Sequence, residues 1–428
     1  MLRFLKFLVL SVIIVTLSFV IYKFSNRYDL NIMYNNIDWS INTKALKGAT
    51  AFDFDKDNNL YIAFSNIIKV INNDNKEDVL INDKSLNIYD IECYNDNIII
   101  ATDNRILLYS FKDKKYKELV TELPNNGINY KTNILLDKND LYISIGSNTN
   151  SGVVDEENKN EDKASFEWKS TGIGYNNNYA FTKFGQVVSV GEKIKESIKS
   201  NASILKYDLI NNNFTTYATG VRNVKGFSVD STGKITAIIG GIEDYGVRPV
   251  KDDVDYIYDI KEKVWYGWPD FSGGDPITSP RFSDGNNKLS FVISNHPTEV
   301  TLGPRYQHNK ISSLCGLAID YEGKCFPKDT VIFADNIDNY IYVLTDRDTA
   351  KAIVSLDKDS YVEKIKYQNG NIYILDSKVG CLYKIGGTKK ESIFNLPNVI
   401  WIFIITFMII LMLALLYKYK KMTENKIK

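Results

Sequence analysis

The sequence predicts an all-β protein, a six-bladed β-propeller flanked by an N-terminal and a C-terminal transmembrane helix. Three observations predict it. A strand–turn–strand pattern recurs six times. Aromatic residues make up 13% of the chain, with 28 tyrosines, while prolines number only 9. A long uncharged apolar run lies near each end of the 428 residues. Aromatic and β-branched residues suit a pleated, half-buried surface better than a helix bundle. The apolar fraction of 44% and charged fraction of 24% are those of a globular chain, which excludes wholesale disorder and a fibrous repeat. The mean hydropathy of −0.21 excludes a many-span transporter.

The N-terminal run FLVLSVIIVTLSFVIY follows Arg3 and Lys6 and reads as a signal peptide or an uncleaved signal anchor over residues 1–27. It leaves through Phe19, Val20, Ile21 and Tyr22 without an Ala-x-Ala exit, which favours the anchor. The C-terminal run, residues 391–417, contains VIWIFIITFMIILMLALLY, long enough for a span of about 20 residues. Lys418, Lys420 and Lys421 follow it and mark residues 418–428 as a basic cytoplasmic tail. The expected location is the cell membrane, two-pass, with residues 28–390 outside the cytoplasm. Setting aside four basic residues before 28, and five lysines and one glutamate after 417, leaves 43 basic against 51 acidic residues, a net of −8. That balance argues against nucleic acid as a partner, because phosphate affinity comes from clustered Lys and Arg. The sequence names no protein partner.

Six hairpin patterns fill the outer region: AFDFDKDNNLYIAFSN from Ala51, DIECYNDNIIIATDN from Asp90, NILLDKNDLYISIGSN from Asn133, GFSVDSTGKITAIIGG from Gly226, GLAIDYEGKCFPKDTVIFADN from Gly316 and KIKYQNGNIYILDSK from Lys364. Each is an alternating strand, a turn rich in Asp, Asn and Gly, and a second strand. No single blade buries both faces of its sheet, so the core comes from closing the ring. Uneven spacing places two insertions, at about 151–202 and 241–315. Asp55-Lys56-Asp57-Asn58-Asn59 begins like a calcium loop, but Leu60 stands where the glycine belongs, so it reads as a turn.

Cys93, Cys315, Cys325 and Cys381 are too few for a disulfide framework. Cys315 and Cys325 are spaced for a bridge across a hairpin, or are two half-buried thiols. With two histidines and no CxxC motif there is no zinc signature.

The second insertion packs Trp265, Tyr266, Trp268 and Phe271 beside Asp270, Gly273 and Gly274. Flat aromatic faces beside a carboxylate suit a sugar or polyol ligand; equally, such residues anchor a long loop. Insertions of this length are where propeller function collects. The order GVRN, GFSVDSTGKI, YGVRP with DDVDYIYDI, then WYGWPDFSGG resembles the glucose/sorbosone dehydrogenase family. NDLYISIGSNTNSGVV and SNHPTEVTLGPRYQHNKISSLCGLAID extend the resemblance over about residues 125–325.

That resemblance implies a six-bladed propeller using pyrroloquinoline quinone (PQQ) and calcium. It places Arg222 and Asn223 at the quinone, where a forked guanidinium suits carboxylates; the alternative pairs Arg222 with a carboxylate of a blade turn. The family's catalytic histidine would fall in Gly127–Thr132, which holds none. Lys131 is the one substitute base in that window, and would serve only if strongly desolvated. The family's calcium loop falls at Ile239-Gly240-Gly241-Ile242, with Glu243 and Asp244 as the nearest oxygen ligands. His296 and His308 lie in the fifth-blade region, as ligand-facing groups or as loop packing. The implied function is a membrane-anchored propeller recognising a sugar or polyol at its channel mouth. An active quinone-dependent sugar dehydrogenase and a non-catalytic binding or assembly module are the alternatives.

Overall fold

The computed structural model describes residues 28–283 and 288–387, with scattered residues between 9 and 18 and between 403 and 418. The chain divides into two compact units, Asn31–Gly387 and the two ends. The larger unit is the propeller. Its six innermost strands are Ala49–Phe54, Asp90–Tyr94, Ile134–Asp137, Val224–Val229, Leu314–Asp320 and Val362–Gln368, which open blades one to six. Each neighbours the next, and Val362–Gln368 returns to Ala49–Phe54 to close the ring. Blade six takes its outermost strand from the other end of the chain, where Ile37–Lys44 pairs antiparallel with Cys381–Gly387.

Burial on both faces explains the apolar runs. In Asn97–Ala101, Ile98 and Ile100 pack towards blade one against Ala51, Tyr61 and Ile68. Ile99 and Ala101 pack towards blade three against Ile134, Leu141 and Ile143. All four of these residues are fully buried, and each isoleucine contributes about 1.5–3 kcal/mol relative to an exposed one.

The turns follow the residues that write them. Asp55 Oδ1 accepts the amides of Asp57 and Asn59, both at 2.9 Å, so this segment is an Asx turn. Asn369 and Gly370 join the first two strands of blade six with φ values of 49° and 73°, as a two-residue hairpin turn requires.

A bulge recurs where the innermost strands begin. Register shifts occur at Ala49/Ala51, Val224/Gly226, Cys315/Leu317 and Val362/Lys364. The residues lifted out of the ladder are Thr50, Lys225, Gly316 and Glu363, and a bulge re-aims such a side chain. Gly226 is needed for a second reason: a Cβ there would meet the Leu317 amide at 2.8 Å, so these strands approach more closely than any side chain permits.

Among the described residues no helix is long and apolar enough to cross a membrane. This corrects the expectation of two flanking transmembrane helices: the length of an apolar run does not fix the length of a helix, and the described helical residues within 9–18 and 403–418 form no such stretch. The remainder of both runs and residues 419–428 lie outside the described residues.

No disulfide joins the four cysteines. Cys315 Sγ donates to Val362 O at 3.1 Å and Cys325 Sγ to Gly370 O at 3.3 Å, on different contacts. Burial pushes the Cys315 thiol well above its ordinary range. Native protein is therefore expected to leave Cys315 unlabelled by an impermeant maleimide, with labelling appearing only on unfolding; mass spectrometry of the labelled peptide checks this.

Candidate functional site at the channel mouth

The innermost strands all start at one end of the channel, and the segments leading into them enclose a cavity of about 320 Å³. Asn129, Tyr130 and Lys131 come from the segment before blade three, and Asn223 and Lys225 from the start of blade four. Ser312 and Ser313 precede blade five; Asn336, Tyr361 and Glu363 complete the wall. A second cavity of about 160 Å³ continues down the channel and shares Asn133, Lys225 and Glu363.

Polar contacts between blades tie the innermost strands together along the channel. Asp53 Oδ2 accepts the Cys93 amide at 2.7 Å, joining blade one to two. Asp90 Oδ2 accepts the Ile134 amide at 3.0 Å, joining two to three. Asn133 Nδ2 donates to Val224 O at 2.7 Å, joining three to four. Asp255 accepts the Ser313 and Leu314 amides at 2.8 Å each, joining four to five, and Asn336 Oδ1 accepts the Val362 amide at 2.9 Å, joining five to six. Buried backbone groups that lack water need such partners.

Charges at the mouth cancel in pairs. Lys131 lies 3.6 Å from Glu363, and Lys225 lies 3.1 Å from Asp255. Burial raises the Glu363 carboxyl above its ordinary range, against the nearby Lys131 and a hydrogen bond from Ser377. What remains is uncharged: the amides of Asn129, Asn223 and Asn336, serine hydroxyls, and the rings of Tyr130 and Tyr361, 46% and 42% exposed.

Of the residues singled out in the sequence, the mouth gathers Lys131 and Asn223. The segment that would carry the family's histidine does line it, through Ile128, Asn129, Tyr130 and Lys131. Arg222 does not: its side chain is buried and turned into the body. Nε donates to Asn150 O at 3.0 Å, Nη1 to Gly241 O at 2.6 Å and Nη2 to Asn150 Oδ1 at 2.9 Å, and Nη2 also lies 3.4 Å from Glu243 Oε2, a carboxylate of the loop after the second strand of blade four.

The second insertion also faces inward. Trp265, Trp268 and Phe271 share a core with Trp168 and Phe181 of the first insertion, and Tyr266 is buried with Tyr258 beneath blade four. The insertions are stitched by backbone bonds from Thr171 N to Val292 O at 3.1 Å and from Ser294 N to Lys169 O at 2.8 Å. Asp270 is fully buried, 2.6 Å from Arg248 and 2.9 Å from His296 Nε2. His296 stacks on Trp265 with ring centroids 5.3 Å apart. His308 is buried between Tyr306 and Asp335, 3.1 Å from each. Burial alone would raise Asp335, yet hydrogen bonds from His308, Ser313 and the amides of Ile337 and Asp338 hold it well below the carboxylate range.

Residues not singled out in the sequence do much of the lining: Tyr130, Asn129, Tyr361, Glu363, Asn336 and Ser312. Apart from Asn336, which follows the second strand of blade five, their common signal is position, just ahead of an innermost strand or on its bulge, and no residue type announces that.

Behind the mouth, Asp162 pins the loop that packs on Gly127–Tyr130. It accepts the Asn148 amide at 2.6 Å and the Thr149 hydroxyl at 2.5 Å, while Ile128 N donates to Asn148 O at 3.0 Å. Burial pushes its carboxyl up to about 7, against those hydrogen bonds. Because the folded state then holds a proton that the unfolded chain releases, the contribution is complete below the ordinary carboxylate range and is lost as pH rises towards about 7. Unfolding free energy is expected to fall across that window, and Asp162→Asn to flatten the slope, as read by denaturant melts at several pH values.

Architecture and site together define a six-bladed propeller with a polar, charge-balanced mouth. A solved PQQ domain and other solved sugar dehydrogenases share this fold. The calcium structure of a Trichoderma reesei carbohydrate-active enzyme of family AA12 matches with TM-score 0.59 at 14% identity, over 84% of this chain and 98% of that one. The holo PQQ domain of pyranose dehydrogenase from Coprinopsis cinerea matches with TM-score 0.55 at 12% identity, over 84% and 97%. The apo form of soluble aldose sugar dehydrogenase from Escherichia coli gives 0.55 at 13%, over 82% and 100%. At these identities the likeness establishes the fold. No protein family and no curated protein matches the sequence.

The residues present do not fit the two cofactors well. PQQ is a tricarboxylate, whereas both lysines at the mouth are already neutralised and Arg222 is spent on Asn150 and Gly241. At the expected calcium loop, Gly241 O accepts from that guanidinium, Glu243 Oε1 accepts from Ser312 Oγ at 2.5 Å, and Asp244 is exposed. Among the described residues no three His, Cys, Asp or Glu side chains are grouped to hold a metal ion.

Proposed function

We propose that this chain is a carbohydrate-recognising propeller that seats a neutral sugar or polyol at its channel mouth without oxidising it. The observation that carries the reading is the mouth itself: two half-exposed tyrosine faces above uncharged amides and hydroxyls, with every nearby lysine paired. Tyrosine rings offer apolar faces to sugar C–H surfaces, and the amides and hydroxyls match sugar hydroxyls. Calorimetric titration of the intact chain with aldoses and polyols tests it. Tyr130→Ala is expected to weaken binding on the order of tenfold with unchanged melting temperature. Absence of binding by every sugar would leave a protein-binding or assembly module.

A second reading, an active quinone-dependent sugar dehydrogenase, is favoured by the fold shared with the PQQ domain of pyranose dehydrogenase and with aldose sugar dehydrogenase. It would need a base in place of the missing histidine, and Glu363, mostly buried at the mouth, is better placed than the half-exposed Lys131. PQQ with calcium, titrated into the protein and followed by absorbance, separates the two: saturable binding and bleaching on adding an aldose would overturn the non-oxidising reading. The reading also places the propeller outside the cytoplasm, which protease accessibility in intact cells checks.

A further inference from the structure

A second polar hollow, of about 520 Å³, lies over blade two and is walled by Ser85, Asn87, Asp103, Asn104, Arg105 and Glu118. It opens on the same face as the mouth. The innermost strand Asp90–Tyr94 runs away from the mouth, its antiparallel neighbour Asn97–Ala101 runs back, and the turn 102–105 that follows therefore returns to the mouth side.

Aromatic rings join the two cavities. Tyr361 and Tyr130 both line the mouth, and Tyr130 lies next to Tyr89, with ring centroids 5.6 Å apart. Tyr89 in turn reaches the hollow: its hydroxyl hydrogen-bonds to Asp103 and accepts from Asn87 Nδ2 at 2.8 Å. Asn87 Nδ2 also donates to Asp103 at 2.9 Å, and Ser65 Oγ donates to Asn87 Oδ1 at 2.8 Å, so these polar groups are held in place before any ligand arrives. The hollow is acidic: Arg105 is paired with Glu118 at 3.1 Å, which leaves Asp103 and Glu122 in excess.

We infer that the mouth and the hollow over blade two are two ends of one groove, and that its ligand is a neutral oligosaccharide laid across Tyr130 and Tyr89. The inference rests on the sugar reading of the mouth and extends it from one ring to several. An aromatic step between two sets of hydroxyl-matching groups is what consecutive sugar rings require. The excess of carboxylates disfavours uronate chains by like-charge repulsion.

The test is calorimetric titration of the full chain with glucose, cellotetraose, maltotetraose and tetragalacturonate. At least one neutral tetrasaccharide is expected to bind on the order of tenfold more tightly than glucose, and tetragalacturonate more weakly. Tyr89→Ala should abolish that gain while leaving glucose binding unchanged. Asn104→Trp, at an exposed position, should do the same by filling the hollow, and covers the case in which Tyr89→Ala fails to fold. Glucose binding with no gain for either neutral tetrasaccharide, or a gain that survives Asn104→Trp, would overturn the groove and leave the mouth reading standing. No binding by any of the sugars would overturn both.

Discussion

Replacing Asp270 with alanine is expected to cost about 3–5 kcal/mol of unfolding free energy, because it leaves a buried guanidinium without its counter-charge. Asp270 and Arg248 are both fully buried, and their 2.6 Å pair is the electrostatic centre of the insertions. The carboxylate also accepts the amides of Val292 at 3.1 Å and Ile293 at 3.0 Å. Arg248 spreads its other donors over Ser151 O at 2.8 Å, Pro269 O at 3.0 Å and Ser290 O at 3.0 Å. The pair therefore binds the segment at 151, the WYGWPDFSGG segment and the segment at 290–293 into one body. Urea unfolding of Asp270→Ala and of the double variant Arg248→Met/Asp270→Leu makes the comparison. The double variant should recover part of the loss, since no lone charge is then buried. A loss below about 1 kcal/mol in the single variant would mean that the insertion does not depend on this contact.

Lys366→Met is expected to lose a similar amount, about 3–5 kcal/mol at neutral pH, for the opposite reason: it strands two carboxylates in the channel. Lys366 Nζ lies 2.6 Å from Asp53 and 2.7 Å from Glu92, and Glu92 is also 3.3 Å from Lys364. Burial holds Glu92 above the ordinary carboxylate range even with both lysines present, and removing one raises it further. A folded-state carboxyl with a raised pKa contributes most at acid pH and loses that contribution as pH climbs through the raised value. The variant should therefore regain stability relative to the parent as pH falls from neutrality towards 5, which thermal melts at several pH values would show. A penalty independent of pH would place the loss in packing instead of charge.

The hairpins were readable because each one states its own geometry: apolar runs set the strands, and Asp55 or Asn369-Gly370 set the turns. The fold resemblance rested on GVRN and WYGWPDFSGG and holds as architecture. The direction in which the insertion faces was not readable. Trp265 and Trp268 look the same in a sequence whether they meet a sugar or a core, and what decides it is Trp168 and Phe181, far upstream, which pack against them. Arg222 illustrates the same gap, since its donors are taken by Asn150, the Gly241 carbonyl and the Glu243 carboxylate, on two separate loops. The mouth itself was hidden for another reason. Glu363 and Lys225 face the channel because a bulge lifts each out of its ladder, and a bulge is a property of strand pairing, not of residue type. The ends of the chain show a further limit, where uncharged length suggested spanning helices that the described residues do not form.

The pairing of Ile37–Lys44 with Cys381–Gly387 sets a timetable for the chain's synthesis. Ile37–Lys44, made early, must wait for Cys381–Gly387, with more than 300 residues laid down between them. Until then blade six lacks its two outer strands, and Ile37–Lys44 has no partner in its sheet. Contacts this distant in sequence form late, and sheet edges left open meanwhile are prone to mispairing. A nascent chain released before Cys381 would have a blade six of two strands, with Asn371–Asp376 as an open edge, so the quality of this protein in a cell depends on that late strand as much as on any residue at the mouth.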